Sequence, residues 1–290
     1  MGEFLDKYFE LYPKNVFKNE DVDSIFTLLG KYIEDKCLFR GVADKNFGLQ
    51  SSIERDNWHH GTEPWMISEF KRRQHEYLDN KDLPTNQFEL LAMMQHYGAS
   101  TRLLDVTRSP YVGLYFAVNQ YFETNHKSNS KDRALYILNQ HNTHTNSMDQ
   151  LKQNKDFKGV DYHNLNVLGN NPNLFNKVIM NSNQDLAFFL EPYKMNARLN
   201  IQQGLFLVTN ANPLKSIEQI LYNLLKNTKN LGGGDDGSID KLIIPARFKK
   251  EILKQLYSMN ISSATLFPGL EGFSRHLKEM NNVLRISDMI

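Results

Sequence analysis

Apolar positions recur at helical spacing between Asn19 and Lys36. Val22, Ile25, Phe26, Leu29, Tyr32 and Ile33 share one face there, and Glu20, Asp21 and Asp23 crowd the first turn. At Cys37 the period changes to two. Cys37, Phe39 and Gly41 alternate with Leu38, Arg40 and Val42, which predicts a strand with Arg40 on the same face as apolar neighbours. Asn86 with Glu89 has the spacing of a capping box. Phe88, Leu91, Ala92 and Gln95 follow it at helical spacing as far as Gly98. Gly98 to Arg108 reads as a polar connection. Ser109 and Pro110 then start a helix whose small residues, Gly113 and Ala117, predict close packing against another element.

Further along, Ala134–Leu138, Leu205–Val208 and Lys241–Ile244 read as short apolar strands. Residues 139–184 are rich in Asn, Lys, His and Gln and read as a polar insertion or poorly ordered excursion. Ser216 caps a helix carrying Ile217, Ile220, Leu221, Leu224 and Leu225. Ile252, Leu253 and Leu256 mark another, and a last one runs from about Leu270 to Met280. The glycine run 232–237 lacks the Lys-Ser/Thr ending of a phosphate loop and follows a helix rather than a strand, so it carries no nucleotide role. The pattern predicts an α+β fold with small mixed or antiparallel sheets and surrounding helices, in a single domain with its core at about 20–280.

A hydrophobic content of 40% over 290 residues is enough for a substantial core. Thirty-four basic residues against thirty-three acidic ones leave a net charge of +1, so no global field announces a nucleic acid or a membrane. The one cysteine, Cys37, excludes an internal disulfide framework and suits a reducing compartment, the cytoplasm. The start, MGEFLDKYFE, is not patterned as a secretory signal, and no membrane partner is expected. The adjacent His59 and His60, and His141 with His144, have no acidic partners at useful spacing, so no metal site is expected.

Chemistry concentrates in Met94–Ala117, MQHYGASTRLLDVTRSPYVGLYFA. His96, Tyr97, Thr101, Arg102, Asp105 and Thr107 supply an imidazole, hydroxyls, a guanidinium and a carboxylate within a dozen residues. A structural reading pairs Arg102 with Asp105, has Thr107 assist the following helix and leaves Tyr97 half buried. Arg40 calls for an anion or a carboxylate to meet it: a bound ligand, or a salt bridge to Asp105 or Glu191. Gly41 beside it leaves room for a ligand or another backbone to approach. Cys37 has no sequence-local His and reads as a packed small hydrophobe.

Several blocks together resemble the FRG family, named for a Phe-Arg-Gly signature. They are Phe39-Arg40-Gly41, LQSSIER at 49–55, QHYG at 95–98 with TRLLD at 101–105, Tyr115-Phe116-Ala117, Gln203-Gly204-Leu205-Phe206, Ile244-Pro245 and LFPGLEG at 266–272. The order of Arg40-Gly41, a hydroxyl at Thr107 before a helix, and a late polar residue is also similar to that of ADP-ribosyltransferases. That second resemblance implies NAD as substrate. Arg40, with Gly41, Thr101, Arg102 and Asp105, would bind the cofactor, and Thr107 would orient the nicotinamide ribose. His96, Tyr97, Gln203 and Glu271 would complete the catalytic set, although Gln202 and Gln203 stand where a glutamate is expected.

The implied activity is ADP-ribosyl transfer to a protein or nucleic-acid acceptor, or NAD cleavage, as in a toxin or phage-defence effector. The alternative is a non-catalytic module recognising a nucleotide, nucleic acid or protein. A third reading is phosphodiester hydrolysis with His96 as general acid or base. Glu271 also reads simply as an acid at the positive start of the last helix.

Overall fold

The computed structural model describes residues 15–18, 21–34, 37–56, 62–79, 83–119, 131–154, 157, 166–210, 215–228 and 239–283. The amino-terminal ten residues, His59, His60 and the glycine run at 232–237 lie outside the described residues. Seven strands form one mixed sheet: β1 (Asn15–Lys18), β2 (Cys37–Val42), β3 (Leu104–Thr107), β4 (Arg133–Asn139), β5 (Ala187–Leu190), β6 (Gly204–Thr209) and β7 (Ile239–Ile244). Their spatial order is β1-β7-β4-β2-β3-β6-β5, and every pairing is antiparallel except β1 with β7. The strands expected in small sheets therefore join into a single α+β sheet.

The main helices are α1 (Val22–Glu34), α2 (Thr62–Arg73), α3 (Gln87–His96), α4 (Pro110–Val118), α5 (Gln140–Gln153), α6 (Ala197–Ile201), α7 (Ile217–Thr228), α8 (Lys249–Ser258) and α9 (Leu270–Val283). Alternation along the strands sends side chains to opposite faces, and each face collects its own apolar cluster. On one face α7 packs through Ile217, Ile220, Leu221 and Leu224 against Leu38, Tyr136, Leu205 and Leu207. The other face carries two clusters. α1, α4 and α8 cover Phe39, Leu135, Ile137 and Leu242, while α3 covers Phe188, Phe206 and Val208. Among the described residues no helix is long and apolar enough to cross a membrane.

Three local expectations are corrected. The polar connection from Gly98 to Arg108 contains β3, whose buried Leu104 and Val106 alternate with Asp105 and Thr107. Ile33 does not join its helix's buried face and is 52% exposed. Among the described residues of 139–184 the chain packs rather than runs loose: α5 starts at the cap Asn139, and Phe175, Val178 and Ile179 are buried.

The polar composition of α5 has a physical reason. β5 is a sheet edge, and the outer backbone groups of an edge must find partners other than another strand. Ser147 Oγ accepts from Ala187 N at 3.0 Å and donates to Ala187 O at 2.8 Å. His144 Nε2 accepts from Phe189 N at 2.8 Å. Burial, helped by His141, pushes the His144 imidazole from its ordinary 6.5 down to about 4. The neutral ring is the bonded form. Its contribution is complete above pH 6.5 and is lost as pH falls toward 4, by up to about 3 kcal/mol. Denaturant midpoints measured across that window should fall, and His144→Leu should flatten the profile. An unchanged slope in the variant would refute the assignment.

Candidate functional site

The sheet has one weak seam. β2 and β4 pair along six residues, but β2 and β3 meet only at Phe39 and Thr107. Beyond that pair the strands splay, and Arg40 fills the gap. Its Nη1 donates to the Asp105 carbonyl at 2.9 Å and lies 3.7 Å from Asp105 Oδ2, so a side chain spans a stretch where the strand ladder stops. A cleft of about 250 Å³ opens at this seam, between the two apolar clusters on that face. β2 supplies Phe39, Arg40 and Gly41; β3 supplies Asp105, Val106 and Thr107; β6 supplies Gly204 and Phe206. Ala92, Gln95 and His96 of α3, Phe116 of α4, and Asn196, Arg198, Leu199 and Gln202 complete the wall.

Two arginines, Arg40 and Arg198, are among the residues that line the cleft. The Arg40 side chain is 23% exposed, and burial lowers its pKa although Asp105 opposes the shift. Its guanidinium stays cationic, because arginine titrates far above neutrality. Arg198 lies over the Phe267 ring at 4.7 Å to its centroid, a contact that orients its planar group. Burial and the Arg198 charge both lower the pKa of His96, so its imidazole is neutral near pH 7. Asn196 Nδ2 approaches His96 Nδ1 at 3.4 Å. Asp105 is the one carboxylate in the wall among the described residues, and its side chain is 57% exposed.

The other sequence candidates separate. Thr107 lines the cleft, but its hydroxyl donates to Gln202 O at 2.7 Å and accepts from Ser109 N at 3.0 Å. It holds the turn and the start of α4 through these two bonds. Thr101 is buried, bonded to Gln95 Oε1 through its hydroxyl and to Ser52 Oγ through its backbone N–H at 2.9 Å. Arg102 does not pair with Asp105: it is buried against Glu63, with Nε 2.7 Å from Oε2. Neither Thr101 nor Arg102 belongs to the cleft wall. Tyr97 is 65% exposed rather than half buried and lines an adjoining hollow.

Gln203 occupies a turn at φ 48°, outside the wall, and its neighbour Gln202 spends its Nε2 donor on Leu266 O at 2.9 Å. Glu271 sits in the first turn of α9, paired with Arg275 four residues on, and does not reach the cleft. Glu191 pairs with Arg108. Gly41 admits a backbone, not a ligand: a Cβ there would lie 2.2 Å from Gly113 O. Cys37 is buried, and no group of three or more His, Cys, Asp or Glu side chains among the described residues is placed to hold a metal ion.

Sequence reasoning missed Arg198 and Asn196, and quoted Gln95 in a family block without giving it a role in the site. A lone arginine in a five-residue helix has no pattern. The available signal was Asn196 as an N-cap, which accepts from Leu199 N at 2.7 Å and so fixes where α6 starts.

No curated protein and no solved structure matches this chain. The family model of the FRG domain matches residues 35–128, a stretch that takes in β2 with Arg40, α3 with His96, and β3 with Asp105, while Arg198 and the β6 wall lie beyond it. The seam and the near wall of the cleft thus belong to the matched segment, and the chain carries an FRG domain over residues 35–128.

Proposed function

We propose that the cleft binds a nucleotide, NAD above all, with phosphate oxygens held by Arg40 and Arg198. The observation that carries this reading is that two arginines line one cavity at the sheet seam. Guanidinium forks match phosphate oxygens two at a time, and a concave site strengthens each contact. Phe116 and Phe206 give apolar walls for a ring, while Gln95 and Asn196 offer amides to its polar edge.

The enzymatic form of this proposal is ADP-ribosyl transfer or NAD cleavage. With Gln203 and Glu271 away from the wall, Asp105 is the group that would face positive charge developing at the anomeric carbon. A second reading is binding without turnover. It is favoured because the one carboxylate in the wall is already engaged with Arg40.

Calorimetric titration of NAD and AMP, with nicotinamide release followed on the same samples, tests both. Wild-type protein should bind below millimolar concentration, and Arg198→Ala should lose about tenfold or more, the equivalent of one charge-assisted hydrogen bond. Arg40→Ala should lose at least as much, and its unfolding midpoint must be checked because it also releases the Asp105 carbonyl. Nicotinamide release that Asp105→Asn abolishes identifies the enzyme. Binding without release identifies the recognition module, and no binding at millimolar NAD or AMP sinks the proposal.

A further inference from the structure

The cleft does not end at His96. A second hollow of about 190 Å³ shares Ala92, His96, Asn196, Leu199 and Phe206 with it, and a third of about 210 Å³ adjoins the second through Pro84. The first two depressions thus join through five shared residues, and Pro84 stands between the second and the third. Their walls carry Lys71 in the third, Lys194 in the second, and Arg198 and Arg40 in the first. Only two acids line them among the described residues, and both are engaged. Glu89 accepts from Thr85 N at 2.9 Å and Thr85 Oγ1 at 2.8 Å, and Asp105 lies against Arg40.

The described lining of these hollows thus carries four cations against two engaged acids, with Lys71 Nζ donating to Gln87 Oε1 at 2.8 Å. Two tyrosines stand in water beside the second hollow. Tyr97 lines it and is 65% exposed. Tyr193, 78% exposed, lies in sequence between the lining residues Pro192 and Lys194. Large aromatic surfaces held in water beside cations are the elements of a stacking platform for unpaired bases, and a row of cations tracks a phosphate backbone.

We infer that a single strand of nucleic acid binds along these three hollows, its phosphates on Lys71, Lys194 and Arg198 and a base stacked on Tyr97, so that one end is delivered to the cleft. The inference rests on the reading of the cleft as a nucleotide site and names the macromolecule that would meet it. A duplex does not fit this arrangement, because its bases are already stacked and cannot reach a tyrosine face.

Fluorescence anisotropy of labelled oligothymidylate and oligouridylate with the full chain tests it, with AMP titrated into the same preparations. At about 50 mM salt the wild type should bind a single strand more tightly than the matching duplex. Tyr97→Ala should weaken strand binding about tenfold, and Lys71→Ala should flatten the slope of log affinity against log salt by about 0.7. Both variants should keep AMP affinity and the wild-type unfolding midpoint.

Strand binding that neither substitution changes would overturn the inference. So would poly-glutamate binding as tightly as the strand, which would assign the path to an acidic protein segment. AMP binding without any strand binding would overturn the path alone. Strand binding that depends on Tyr97 and Lys71 supports the path, even in a preparation where failure to bind AMP overturns the nucleotide reading of the cleft.

Discussion

Gly41→Ala destabilises the protein by about 3 kcal/mol or more, close to what abolishes folding in many domains. A Cβ at this position would lie 2.2 Å from Gly113 O, 2.3 Å from Ala117 N and 2.9 Å from Phe116 C. All three are backbone atoms of α4, so no side-chain rotation relieves the overlap and the helix must lift from the sheet. The closeness is mutual: a Cβ on Gly113 would meet Phe39 Cβ at 2.7 Å. Lifting α4 also loosens the cluster in which Phe39, Leu114, Tyr115 and Ala117 are fully buried. Because Arg40 precedes Gly41, the same displacement moves a cleft guanidinium, and ligand affinity should fall along with stability.

Gly30→Ala serves as the opposite control. A Cβ there meets nothing within 4 Å inside α1, and removing a helical glycine should stabilise by roughly 0.5–1 kcal/mol. Urea unfolding midpoints of the two variants should move in opposite directions. Equal, small shifts would show that α4 does not touch β2 as closely as described.

Glu63→Gln should cost about 3–5 kcal/mol. Glu63 is fully buried, and Arg102 is 3% exposed at its side chain. The carboxylate accepts from Arg102 Nε at 3.0 and 2.7 Å through its two oxygens, and from the Arg102 backbone N–H at 3.1 Å. An amide keeps the shape but removes the buried charge that faces the Arg102 guanidinium. For a chain of this size the loss corresponds to a melting temperature lower by roughly 10 °C.

Replacing both partners, Glu63→Met with Arg102→Leu, should recover much of the stability, since two apolar groups of similar volume need no desolvation. A double variant as unstable as the single one would show that the pair's hydrogen bonds, not its charges, hold α2 to the loop. The pair sits beside the entry to β3, yet NAD or AMP affinity should change far less than stability, because neither residue lines the cleft.

Much of the fold was legible along the chain because helical and strand periods are set by neighbours a few residues apart. The face of α1, the alternation in β2, and the starts of α3 at Asn86 and α4 at Ser109 are such cases. The reciprocal half of the capping box was not legible: Glu89 turns to Thr85 instead of the Asn86 backbone. β3 was hidden by its composition. Two of its four residues are polar, so its burial pattern resembles a loop until β6 is placed beside it. α5 was hidden for the complementary reason, that its polar side chains satisfy a sheet edge and so look like solvent-facing residues.

The sequence by itself determined the α+β class, an FRG resemblance that the family model bears out over residues 35–128, and Arg40 as a charge that must be met. Only the tertiary structure decided what meets that charge, because the partners are remote along the chain. Asp105 reaches Arg40 from a strand 65 residues on, and Arg102 turns to Glu63, 39 residues back, rather than to its near neighbour Asp105. The cleft exists because β2 and β3 part after one residue pair, a property of how two halves of a sheet twist against separate helical clusters. No local pattern encodes that parting. Arg198, brought to it by α6, became part of the site only when the chain had folded.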